Sequence, residues 1–117
     1  MIHFEEQTAP LTEWEKNTLL PLMVKGLKTK LGKDNAVTSK QIIASLSQPL
    51  YDMGGKLSGA RIRKVINHIR LNGLVRNLVA SSKGYYIENN SELRESYKQS
   101  LRERISAIRA VLESFDK

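Results

Sequence analysis

Residues 61–70 read RIRKVINHIR, and Ile62, Val65, Ile66 and Ile69 recur there at the spacing that gathers apolar side chains into a roughly 100° arc of one α-helix. Such a stripe has to be buried. The remaining face carries Ala60, Arg63, Lys64, Asn67 and Leu71, with Arg61, His68 and Arg70 at its margins, and it is basic and amide-bearing. Ser58 is suited to cap the start of this helix, and Asn72-Gly73 suits a left-handed stop, so a helix is predicted over 58–72. One side of it belongs to a core and the other to a positively charged surface.

The segments around it supply partners for the stripe. Thr12 and Glu15 stand at capping-box spacing before a dense apolar band, Leu19, Leu20, Leu22, Met23, Val24 and Leu27, and the pattern closes at Gly32. Pro21 inside this first helix has no amide hydrogen, so it should either kink the helix or restart it. Thr38 and Gln41 repeat the capping pair ahead of Ile42, Ile43 and Leu46, which predicts a short second helix stopped before Pro49. Pro49, Gly54 and Gly55 then mark a loop longer than the turn of a strict helix-turn-helix.

After the basic helix, LVRNLVA and YYIEN flank SSKG, with Gly84 placed where a tight turn needs positive φ, and a hairpin is expected over 74–87. Tyr85 and Tyr86 alternate faces, so one should pack inward. Asn90 or Ser91 then caps a last helix with Leu93, Tyr97, Leu101, Ile105, Ile108, Val111, Leu112 and Phe115 along one side. The expected class is mainly α with a small antiparallel β-hairpin: an N-terminal arm over 1–11, a domain over 12–90 and a C-terminal amphipathic helix over 91–117.

Charge is distributed unevenly. The net +7 of the 117 residues lies wholly in 53–87, where Lys56, Arg61, Arg63, Lys64, Arg70, Arg76 and Lys83 meet no Asp or Glu; the two flanks each sum to zero. A polyanion is the natural complement of such a segment. Cysteine is absent, which excludes disulfides, thiolate metal sites and thiol nucleophiles. No apolar run approaches a bilayer span, and Glu5 and Glu6 stand where a signal peptide carries cations, so a cytoplasmic protein without a membrane segment is expected.

The run LSGARIRKVINHIRLNG, followed by LVRNLVASSKGYYI and a long amphipathic helix, resembles the winged-helix proteins encoded by bacteriophages and prophages of Gram-negative anaerobes, over a likeness that extends from about Thr12 to the end. The resemblance implies a winged helix-turn-helix fold that binds double-stranded DNA in phage replication or transcription regulation, with helix 58–72 in the major groove and hairpin 74–87 as the wing. A groove about 12 Å wide, flanked by phosphates, admits one helix and favours cations on it.

Side-chain chemistry then divides the roles. Arg63 or Lys64 is suited to guanine O6 and N7 and Asn67 to adenine, with His68 beside them; Arg61, Arg70, Arg76, Lys83 and Ser58 are placed for phosphates. On this reading Lys64→Glu should abolish duplex binding. The alternative is a protein-interaction module whose basic patch docks an acidic partner. Catalysis is not expected: His3 and His68 are far apart, and Gly54-Gly55-Lys56 fails the phosphate-loop signature, with Leu50 and Leu57 at positions that need Gly and Ser or Thr. No cofactor or metal is expected. The terminal helix either completes the core or pairs two copies, and its length, about 36 Å, favours a homodimer.

Overall fold

The computed structural model describes residues 9–47 and 56–117. The loop residues Pro49, Gly54 and Gly55, and most of the 1–11 arm, lie outside the described residues. The first helix, α1, is a π-helical turn, Glu15–Leu19, running directly into an α-helix, Leu20–Leu27. Its capping box forms as expected: the Thr12 amide donates to Glu15 Oε1 at 2.8 Å and the Glu15 amide to Thr12 Oγ1 at 3.2 Å. Pro21 stands in the first turn of the α-helical stretch, the position expected of a residue that restarts the helix, although the π-helical turn before it runs on without a gap. The Leu20 amide reaches back to the Glu15 carbonyl, and the widened turn lets the chain continue past a residue with no donor.

α1 ends at Leu27 rather than at Gly32, because the chain beyond it is drawn into a sheet. The hairpin strands, β1 (Leu78–Ser81) and β2 (Gly84–Ile87), pair antiparallel with Leu78 opposite Ile87 and Ser81 opposite Gly84. The outer edge of β2 takes up the segment after α1: the Ile87 amide donates to Lys30 at 2.7 Å, Gly32 donates to Ile87 at 2.9 Å, and Val37 and Tyr85 exchange bonds of 2.9 and 2.7 Å. Gly84 sits at φ 118°, and a Cβ there would lie 2.6 Å from the Val37 carbonyl carbon and closer still to its oxygen. Glycine is required on both counts.

A 3₁₀ turn at Lys33–Asn35 leads to α2, Ser39–Ser47, entered through the Thr38–Gln41 capping pair. The third helix, α3, is Gly59–Leu71. Ser58 caps it by accepting from the Arg61 amide at 3.2 Å, and Gly73 at φ 62° ends it, with Leu74 donating to Ile69 and Gly73 to Arg70 in the paired pattern of a Schellman stop. The expected stripe Ile62, Val65, Ile66 and Ile69 is buried, packed with Leu19, Met23 and Leu27 of α1, Ile42 of α2, and Val75, Leu78 and Ile87. The strands are shorter than LVRNLVA and YYIEN suggested, since Asn77 turns the chain at φ 62° just before β1. Tyr86 is the buried tyrosine of the pair, and Tyr85 is half-buried with its hydroxyl near Ser39.

The last helix, α4, is Ser91–Ser114, capped by the Asn90 side chain on the Leu93 amide at 3.0 Å. Among the described residues, only its first half touches the rest of the fold. Tyr97 closes the free edge of β1 by accepting from the Ala80 amide at 3.4 Å, and none of the residues of α4 is buried. The fold is therefore mainly helical, with one small hairpin and a long terminal helix, as the sequence led us to expect.

Candidate nucleic-acid interface

α3 is rigidly mounted: four core side chains fix its azimuth, so the direction of every cation on it is set by packing rather than by the cations themselves. Two of them do not face solvent freely. Glu15, 2% exposed, accepts from Arg61 Nε at 2.8 Å and pairs with Lys64 Nζ at 2.7 Å, while also holding the Thr12 amide. Arg61 is further committed: its Nη1 donates to the Lys56 carbonyl at 2.6 Å and its guanidinium lies over the Trp14 ring, 5.1 Å from the centroid. Burial raises the Glu15 pKa, but the Lys64 ammonium, the Thr12 amide and the Arg61 guanidinium together outweigh it and hold the carboxyl below its ordinary 4.5.

Two of the expected ligands are therefore already engaged within the fold: Arg61 is bound to α1, and Lys64, whose side chain is only 14% exposed, is paired with Glu15. Lys64→Glu would set a second carboxylate against a buried one, so that substitution tests the fold as much as any ligand. Ser58 likewise spends its hydroxyl on the helix cap. The neutralisation is incomplete, however, since one carboxylate shared by two cations leaves the cluster at +1.

The other cations of the acid-free segment keep their charge uncompensated. Lys56, Arg63, Arg70, Arg76 and Lys83 make no ion pair among the described residues. Arg63 is half-buried against the start of α3, with its Nη1 3.1 Å from where a Gly59 Cβ would stand, and its Nε has no hydrogen-bond partner among the described residues. Arg70 donates through Nη2 to the Tyr97 hydroxyl at 2.7 Å, a neutral acceptor that aims the guanidinium without cancelling it. Lys83 stands at the exposed tip of the hairpin, where its amide is pinned by Ser81 Oγ at 3.2 Å. His68 is half-buried, its carbonyl taken by Asn72 Nδ2 at 2.9 Å.

A cleft of about 550 Å³ brings several of these together: Asn67, Arg70 and Leu71 of α3, Arg76 after it, and Lys98 and Leu101 of α4 line its walls. Sequence reading placed Asn67, Arg70 and Arg76 in the interface but missed the contribution of α4, namely Tyr97 as the holder of Arg70 and Lys98 on the opposite wall. It also missed Glu15, whose only visible signal was a capping box. Among the described residues no group of three or more His, Asp or Glu is placed to hold a metal ion, and no helix is long and apolar enough to cross a membrane. No known protein family, curated protein or solved structure matches the chain.

Proposed function

We propose that the chain is a winged-helix protein that binds double-stranded DNA, with α3 presented to the major groove and the β1–β2 hairpin as the wing, in phage or prophage replication or transcription regulation. The observation that carries the reading is a charge imbalance: residues 56–83, which span α3, the turn after it and the hairpin tip, hold seven cations, and the only carboxylate among the described residues that pairs with any of them is Glu15. Phosphate oxygens supply what the fold does not. The element order supports it as well, since two helices joined across the outer edge of the wing sheet, then a basic helix, then a hairpin, is the winged-helix arrangement.

With Arg61 and Lys64 engaged by Glu15, the roles contract to fewer side chains. Arg63 and Asn67 are the candidates for base edges; Arg70, Arg76 and Lys83 are the candidates for phosphates, with Lys56 beside them. The test is anisotropy of a labelled duplex at rising salt. Binding that weakens steeply with salt, and a combined Arg63→Ala, Arg76→Ala and Lys83→Ala variant that folds like the parent but binds at least about tenfold more weakly, are expected. A parent that ignores duplex at low salt would overturn the proposal and turn attention to an acidic protein partner for the same patch.

A further inference from the structure

From Leu101 onward the apolar residues of α4 change period. Leu101, Ile105, Ile108, Leu112 and Phe115 follow alternating steps of four and three, the 3.5-residue repeat of a seam between two helices. Leu101 is half-covered by its own fold, and beyond it no other described element covers the stripe: Ile105 is 55% exposed, Ile108 60%, Val111 61%, Leu112 67% and Phe115 82%. Five large apolar side chains in a row on a projecting helix form a patch that a folded surface rarely leaves bare.

We infer that this half of α4 is the interface between two copies of the chain, paired antiparallel about a two-fold axis near Ala110. Charge selects the orientation. In a parallel pair Arg104 of each helix would lie beside Arg109 of the other, on both sides of the seam, which repels. In the antiparallel register Ile105 meets Phe115 of the second copy, Ile108 meets Leu112, and Val111 meets its own counterpart across the axis. Arg102 then lies beside Asp116 of the second copy on both ends, and the two Arg109 side chains meet once at the centre, one like-charge contact with two opposite-charge ones against the two like-charge contacts of the parallel pair. The register also begins the overlap where cover from the parent fold ends, just past Leu101.

Area is consistent with a second copy as occupant. Removing the exposed parts of these five side chains on two helices from water, with the stems of Arg102 and Arg109, buries roughly 1,200 Å², the lower end of specific interfaces. The inference concerns self-association alone and stands apart from the DNA reading, because it is measured without nucleic acid.

Sedimentation equilibrium of the full chain between about 10 and 300 µM should give twice the chain mass. Ile108→Glu should give a monomer with unchanged helical circular dichroism, because Ile108 is 60% exposed on a helix face that the other described elements leave uncovered. The chain lacks cysteine, so orientation is read directly: Ile105→Cys and Phe115→Cys should each stay uncrosslinked alone under mild oxidation, and an equimolar mixture should crosslink. A parent that is monomeric across the range would overturn the dimer and leave the face to a different protein. Crosslinking of each variant alone would overturn the antiparallel arrangement.

Discussion

Glu15 shows how one buried carboxylate can reorganise the reading of a surface. It links α1 to α3 through Arg61 and Lys64, and removing its charge strands two cations that were drawn together only by it. Glu15→Gln is expected to lower stability by about 2–3 kcal/mol in urea unfolding, somewhat under the usual cost of breaking a buried pair because Arg61 and Lys64 retain contact with water. The same pairing predicts a pH dependence. The folded carboxyl titrates below its unfolded value, so its stabilisation is fully present above about pH 4.5 and is lost as the pH falls through the lower folded value. Melting temperature should drop over that acid range in the parent and drop less in Glu15→Gln. At Gly84 the constraint is steric: Gly84→Ala meets both a positive φ and the Val37 carbonyl, and a loss of about 2 kcal/mol or more in the same unfolding measurement is expected.

At the scale of elements, the ends were the most legible part. Thr12 with Glu15, Thr38 with Gln41, Ser58 and Asn90 each cap the helix their spacing indicated, because a cap is a contact between residues three apart and needs nothing from the rest of the chain. The far end of α1 and the strand lengths were misplaced for the opposite reason: the Lys30–Val37 segment is held by β2, some fifty residues downstream, and no local pattern announces that pairing. The junction of α4 with the fold rests on Tyr97, whose hydroxyl takes both the Arg70 guanidinium and the Ala80 amide. Tyr97→Phe should cost about 1 kcal/mol of unfolding free energy and, by releasing Arg70, weaken duplex binding by a factor of a few.

Across the whole molecule, the acid-free segment splits its charge in two. Its cations divide into a pair turned toward α1 and locked by Glu15, and a set spread over α3, the turn after it and the hairpin tip that no carboxylate among the described residues answers. If about four of these reach phosphates, the slope of log affinity against log salt for a single copy should be about −3.6, and each of Arg70→Ala, Arg76→Ala and Lys83→Ala should reduce its magnitude by roughly one. Arg61→Ala should behave differently, lowering stability while leaving the salt slope unchanged, since that guanidinium is spent on Glu15, Trp14 and the Lys56 carbonyl.

Sequence by itself determined the kind and order of the elements, the buried stripe of α3 and the location of the excess charge, because periodicity, caps and turn residues act over a few positions and composition is additive. Only the tertiary structure decided which cations remain available and which half of the last helix is left bare. Arg61 and its carboxylate are 46 residues apart in the chain, and a salt bridge is a matter of distance in space, which α1 packing on α3 sets and no local pattern records.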